Sequence, residues 1–207
     1  ISRARQTDVF AAGPGGATSI TINAGEAVIP GLELETILIP VDGLTISGNV
    51  GWISPKYNSY PIVDPTPSPD PIVDLAHEAG FGYQPKVTAS IGAAYETAPL
   101  GSLGLVLTAR IDEHYTASRI WSPLDDERST NNPVVTPFRD ILRDGSYWLT
   151  DVRFSVSEIS IGESTKIRAS VYGKNVFDND YMLSGIDFGA LGFAGAAYGE
   201  GATWGMD

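Results

Sequence analysis

The chain has 207 residues, 23 glycines, 14 prolines, no cysteine and a formal net charge of −12. The charge argues against nucleic-acid binding, which needs basic surface, and the missing cysteines exclude disulfide frameworks, cysteine metal sites and cysteine nucleophiles. No run of about 18 apolar residues occurs, which excludes a transmembrane helix, and the ordinary apolar fraction of 43% argues against gross disorder.

Taken in order, the segments alternate apolar and polar side chains with a period of two, the signature of strands. From Ile20 to Leu38 one parity carries Ile20, Ile22, Ala24, Val28, Leu32, Leu34 and Leu38. Glu26 and Pro30 interrupt it, so a bulge or kink is expected there. Residues 44–53 set Leu44, Ile46, Val50 and Trp52 against Thr45, Ser47, Asn49 and Gly51. Residues 86–96 set Val87, Ala89, Ile91, Ala93 and Tyr95 against Lys86, Thr88, Ser90 and Gly92. The stretch 102–116 is the clearest. Leu103, Leu105, Leu107, Ala109 and Ile111 form one face, and Gly104, Val106, Thr108, Arg110, Asp112 and His114 the other. Residues 148–156 set Trp148, Val152, Phe154 and Val156 against Asp151, Arg153 and Ser155. Residues 165–172 set Ile167, Ala169 and Val171 against Lys166, Arg168, Ser170 and Tyr172. The phase then fails, and a bulge at Gly173–Lys174 would restore it.

Short turns are expected at Val41-Asp42-Gly43, Ala98–Gly101 and Gly162–Ser164, and long loops at 58–78, 117–144 and 183–198. The first long loop is rich in proline (Pro61, Pro65, Pro67, Pro69, Pro71) and is expected to be stiff and extended. Glycines at 189, 192, 195, 199, 201 and 205 are expected to mark a flexible loop entering a glycine-rich strand. Short and long connections alternate strictly, which is the layout of a membrane β-barrel with turns at one rim and loops at the other. The strands outrun the roughly 5 or 6 residues usual in soluble sheets. Trp52, Tyr57, Tyr95, Tyr115, Trp121, Tyr147 and Trp148 lie near strand ends, where interfacial girdles form. A soluble β-sandwich binding module of carbohydrate-binding type, or a small porin-like barrel, is the alternative that alternation alone leaves open.

The polar parity carries Glu33, Glu35, Arg110, Asp112, His114, Asp151, Arg153, Lys166 and Arg168. Such ions need water or polar partners, because burying them dry and unpaired costs several kcal/mol each. They are therefore expected to face a lumen. Catalysis has no legible nucleophile–base pair. The two histidines, His77 and His114, are far apart, and Asp125-Asp126-Glu127 lacks the spacing of a calcium loop. No catalytic residue, metal site or cofactor is assigned.

Residues 165–181, TKIRASVYGKNVFDNDY, resemble the penultimate-strand signature of TonB-dependent outer-membrane receptors. In that family a strand leads into Asn-Leu-Phe-Asp-x-x-Tyr. Asn175, Val176, Phe177, Asp178 and Tyr181 fill those places, with valine for leucine. Residues 23–35, NAGEAVIPGLELE, resemble the family's Asn-x-Gly-x-Ala…Gly-x-Glu-x-Glu strand. The resemblance implies an all-β fold, an antiparallel transmembrane barrel segment comprising the last eight or so of about 22 strands. Residues 1–207 would be a partial barrel domain, with the N-terminal plug and the TonB-binding segment absent. By this resemblance, the start at Ile1 and the stop at Asp207, within the last strand, would make this a piece of a longer protein.

By the same resemblance, the protein would sit in the outer membrane of a Gram-negative bacterium and act as a receptor and transporter, not an enzyme. It would take up a scarce solute such as a ferric siderophore, cobalamin or a sugar. Its partners would be membrane lipid, that solute and the TonB complex acting through the plug. The topology places Tyr57, Tyr60, Arg119, Trp121 and Arg139 at the extracellular end. Their rings could stack on a ligand and their guanidinium groups pair with an anionic chelate. Interfacial or loop packing is the alternative role for each.

Overall fold

A computed structural model of the chain describes residues 3–13, 16–63, 72–125, 140–162, 164–188 and 192–207. The described strands are β1 (Arg3–Gly13), β2 (Gly16–Val28), β3 (Gly31–Val41), β4 (Leu44–Ile53), β5 (Lys56–Tyr57), β6 (Pro61–Val63), β7 (Ile72–Asp74) and β8 (Val87–Glu96). They continue with β9 (Val106–Thr116), β10 (Arg119–Ile120), β11 (Arg143–Asp144), β12 (Tyr147–Ile161), β13 (Thr165–Lys174), β14 (Met182–Phe188), β15 (Phe193–Tyr198) and β16 (Thr203–Met206). One 3₁₀ turn lies at Pro123–Asp125, and no described helix is long and apolar enough to cross a membrane.

Seven strands form one antiparallel sheet in the order β16-β13-β12-β9-β8-β4-β3. β1, β2 and β5 form a second sheet, but the register shows that it prolongs the first. Gly31 faces Ile53 on β3 and β4, and beyond the gap Val28 faces Lys56 and Ala27 faces Tyr57 with no slip. The gap is made by Pro30 and Pro55, neither of which can donate to a ladder. The Ser54 amide bridges it by donating to the Pro30 carbonyl at 2.8 Å. The segment read as one strand from Ile20 to Leu38 is thus two strands in line, broken at Ile29–Pro30. A second irregularity sits near Glu26. The β1–β2 register shifts between Ala4 and Gln6, opposite Gly25 at φ +66°. A side chain there would meet the Ser59 carbonyl at 2.1 Å, so glycine is required.

Counting lines of strand in the described residues gives β1, β2–β3, β4–β5, β8, β9, β12, β13 and β16. They run antiparallel to one another, and the seven-stranded sheet is open, with β3 and β16 as its edges. Two of the expected turns stand. Asp42–Gly43 closes β3 onto β4, with Gly43 at φ +82°, and Gly162 at φ +70° opens the β12–β13 connection. The third is longer than expected. Residues 102–105 belong to the turn and not to the strand, because Leu100 bridges Leu105 around Gly101 and Gly104, both at positive φ. A bulge that the sequence pattern did not show lies between Val156 and Ile159, with Glu158 at φ +63°. It swaps parity and keeps Ile159 and Ile161 on the same face as Val156 and Ile167.

Register assigns every residue to a face. Leu32, Leu34, Val50, Trp52, Ile91, Tyr95, Ile111, Trp148, Phe154, Ile167, Val171 and Trp204 share one face, and each is more than a third exposed. Soluble monomers rarely expose a contiguous apolar surface on this scale. Of the seven expected girdle aromatics, Trp52, Tyr95, Tyr115 and Trp148 lie on this face. Tyr57 and Trp121 are instead buried among loops, and Tyr147 lies on the polar parity. The strands of the seven-stranded sheet contain no packed core in the described residues. Every buried hydrophobic side chain among them lies at the loop end, on β2 and β5 or within the long connections.

Candidate functional site

The long connections are folded. The first packs Ala27, Tyr57, Tyr60, Ile62, Leu75, Ala76, Ala79 and Phe81 into a core, with β6 and β7 paired as a hairpin. Tyr57 stacks on Phe81 with ring centroids 4.4 Å apart and lies 4.9 Å from Tyr60. Burial pushes the Tyr60 phenol far above its usual range, and Tyr57 adds to the shift. Asp74 fixes the hairpin base by accepting the Tyr60 amide at 2.8 Å and the Ala76 amide at 2.9 Å. The Tyr60 amide is the largest cause holding this carboxyl below its ordinary range. Desolvation opposes the shift, while Ala76, Ser59 and the charge of His77 add to it.

The second and third connections interlock with the first. Gly80 donates to the Pro123 carbonyl and Tyr83 to the Ile120 carbonyl, both at 2.8 Å. Tyr83 meets the Trp121 ring edge-on at 5.5 Å. Trp121, Leu142 and Met182 form a second core with Ala194 against it. Gly185 lies under the indole, where a side chain would meet Trp121 Cγ at 2.7 Å. The expected flexible loop over 183–198 is therefore largely the β14–β15 hairpin, docked on Trp121. Arg119 ties the junction together. Its Nε contacts Asp144 Oδ2 at 3.2 Å, and its terminal nitrogen donates to the Tyr147 hydroxyl at 3.4 Å and to the Met182 carbonyl. Its guanidinium stacks 4.4 Å from the Trp121 centroid.

Of the five residues expected at a ligand surface, Tyr57 is 6% exposed and Tyr60 and Trp121 are each 3% exposed. Arg119 is largely committed to Asp144. Arg139 lies outside the described residues, as do Asp126, Glu127 and Pro65 to Pro71. Trp121 Nε1 is a buried donor with no partner among the described residues. No described group of three or more acidic or histidine side chains is arranged to hold a metal.

The nine ionisable residues predicted to face a lumen all lie on the polar face. Glu33 faces Gly51, and Glu35 faces Asn49. His114 lies between Ser90 and Leu149. Arg110 is directly opposite Arg153, and Asp112 opposite Asp151, two like-charged pairs that each find other partners. Arg110 makes a fork onto Asp112 at 2.6 and 2.7 Å, with Gly92 leaving room for it. Arg153 reaches Asp207 at 3.1 and 3.2 Å and the Tyr172 ring at 4.9 Å. Arg168 donates to the Ser155 hydroxyl at 3.0 Å, and Lys166 pairs with Glu158. Exposed pairs of this kind contribute little to stability. They keep the wall charged and polar.

The Asn175–Tyr181 segment ties three strands together. The β13–β16 ladder runs unbroken through Gly173 and Lys174, so the expected bulge is not at those residues. The break comes one residue later, at Asn175, φ +47°, and Val176 then bonds the Thr150 carbonyl at 2.9 Å. Asparagine tolerates this left-handed backbone. Its amide donates to Asp151 Oδ1 at 2.9 Å, its side-chain oxygen accepts the Asn179 amide at 3.0 Å, and its Nδ2 donates to the Asn179 carbonyl at 3.0 Å and the Glu200 carbonyl at 3.2 Å. Asp178, φ +56°, accepts the Ala202 amide at 2.8 Å. Tyr181 lies 5.1 Å from Tyr147 and covers Gly199, while Phe177 is 71% exposed. The segment thus clamps the loop ends of β12, β13 and β16.

This arrangement, one exposed apolar face, one charged face and folded connections at one rim, matches a known family. The family model for TonB dependent receptor-like β-barrels matches residues 3–176, and the chain belongs to that family. Among solved structures, the ferric yersiniabactin uptake receptor FyuA from Yersinia pestis superposes with a TM-score of 0.58 at 19% identity, over 90% of this chain and 24% of that one. BauA, the ferric preacinetobactin receptor from Acinetobacter baumannii, gives 0.56 at 16% identity, over 97% and 25%. FpvA of P. aeruginosa, solved with a heterologous pyoverdine and iron, gives 0.52 at 18% identity, over 98% and 22%. The chain therefore spans about a quarter of the length of these receptors. No curated protein matches it in sequence.

Proposed function

We propose that this chain is the C-terminal part of the barrel of an outer-membrane receptor that actively imports a ferric chelate, driven by the TonB system. The carrying observation is the family match over 3–176 on a sheet with one exposed apolar face and one charged face. The apolar face would meet outer-membrane lipid. The face with Glu33, Glu35, Arg110, Asp112, His114, Asp151, Arg153, Lys166 and Arg168 would line the lumen. The plug and the TonB-binding segment would belong to the rest of the protein.

Ferric siderophores are favoured over cobalamin or a carbohydrate because FyuA and BauA are named as receptors of ferric chelates. The interlocked connections form the extracellular rim. Within it, Arg119 and Trp121, paired and buried, would hold in place the loops that carry the ligand contacts. Tyr57 and Tyr60 would support that rim from beneath, and Arg139 completes the proposed set. The test is uptake of radioactive ferric chelates by iron-starved cells that rely on the full-length receptor. Accumulation that is lost without TonB supports the reading. Equal accumulation with and without TonB refutes energised transport.

A further inference from the structure

Glu113 is the one Asp, Glu, Lys, Arg or His side chain on the apolar face of the seven-stranded sheet among the described residues. It continues the apolar parity of β9 beyond Ile111 and faces Ile91 on β8 and Thr150 on β12. The buried Thr150 hydroxyl donates to Glu113 Oε1 at 2.7 Å, which orients the carboxylate. No described cation reaches it. One step toward the loop end, on the same face, Tyr115 and Trp148 lie with ring centroids 4.8 Å apart. Same-face neighbours along a strand are about 7 Å apart, within reach of one small bound group.

An oriented carboxylate beside two electron-rich rings is the chemistry that recognises an ammonium group, through an ion pair and cation–π attraction. Aromatic residues on the outer wall of a barrel sit at the depth of lipid headgroups. Below Glu113 the face is apolar, with Ile111 and Val152 paired, which suits acyl chains. We propose that Glu113, Thr150, Tyr115 and Trp148 dock the ammonium-bearing headgroup of a membrane lipid on the outer wall. The site rests on the reading of this face as lipid-facing.

The test is native mass spectrometry of the delipidated full-length receptor, titrated with phosphatidylethanolamine, its N-acetyl derivative and phosphatidylglycerol, each with and without Mg²⁺. The wild type is expected to retain phosphatidylethanolamine at least tenfold better than the N-acetyl form. Glu113→Gln, which can still accept the Thr150 bond, is expected to abolish that preference. Equal retention of the two forms by the wild type overturns the proposal without need of any variant. Retention of phosphatidylglycerol that requires both Mg²⁺ and Glu113 reassigns the carboxylate to a divalent ion and also overturns it. A receptor that holds none of the three lipids refutes the lipid-facing reading itself, a result distinct from loss of headgroup preference.

Discussion

Asn175 is the position where sequence, backbone and packing converge most tightly, and its replacement is the sharpest test of the clamp. Asn175→Ala removes the acceptor for the Asn179 amide and the donors to the Asn179 and Glu200 carbonyls. The residue is 5% exposed, so water does not simply replace these bonds. A net hydrogen bond contributes about 1 kcal/mol, and a buried group left unsatisfied costs about 1–3 kcal/mol. Placing alanine at φ +47° adds about 1 kcal/mol. The sum is a local destabilisation of about 3–5 kcal/mol. Asn175→Gly keeps the backbone conformation without strain and should recover about 1 kcal/mol of it. Amide hydrogen exchange on the full-length receptor in vesicles reads this directly at Asn179 and Val176. A tenfold loss of protection corresponds to about 1.4 kcal/mol, so losses of more than a hundredfold are expected in Asn175→Ala. Protection within threefold of wild type would refute the clamp.

Further outcomes follow from other sites. Gly43→Ala forces a side chain to within 2.2 Å of the Glu96 carbonyl at φ +82°. It should cost about 2–4 kcal/mol and appear as a loss of heat-modifiable folded receptor on gels. Arg119→Ala leaves Asp144 largely buried without its cation. Removing one partner of such a pair costs about 3–5 kcal/mol at full burial and somewhat less here, so limited proteolysis should begin cutting within 182–198. The Asp74 carboxyl is held below its ordinary value in the folded state. Its stabilisation is therefore complete above the unfolded value near about 4 and is lost as pH falls through the folded value. Protection of the Tyr60 and Ala76 amides from hydrogen exchange, corrected for the intrinsic pH dependence of exchange, should accordingly fall as pH is lowered from 5 to 2, and Asp74→Asn should flatten that fall. Ile111→Lys places a charge on the apolar face and should cost about 2–4 kcal/mol near mid-membrane, whereas Ser90→Lys on the polar face should assemble normally.

The wall was legible in the sequence because side chains alternate strictly along a strand, and a two-sided environment writes itself into that period. The parities read for residues 44–53, 86–96, 148–156 and 165–172 agree with the registers. What alternation cannot show is where an extra residue enters. The bulge at Glu158 and the break at Asn175 depend on left-handed backbone at non-glycine residues, which composition does not flag. Nor did local pattern reveal the folded rim. Tyr57 pairs with Phe81, Arg119 with Asp144 and Trp121 with Gly185, and each pair is joined only by long connections. The proline- and glycine-rich composition read as stiff or flexible loop, while the aromatic side chains within it carried the only packed cores described. Glu113 escaped notice because the apolar run before it ends at Ile111.

The most direct test of the account is the environment of consecutive positions on β8 in the full-length receptor. Single cysteines at Ala89, Ile91 and Ala93, and at Ser90, Gly92 and Ala94, would carry a spin label, with accessibility to oxygen and to a water-soluble nickel complex measured in vesicles. The account predicts high oxygen and low nickel accessibility at Ala89, Ile91 and Ala93 alone, alternating with the opposite pattern at Ser90, Gly92 and Ala94. Water-like accessibility on both parities, or the reverse alternation, would contradict it.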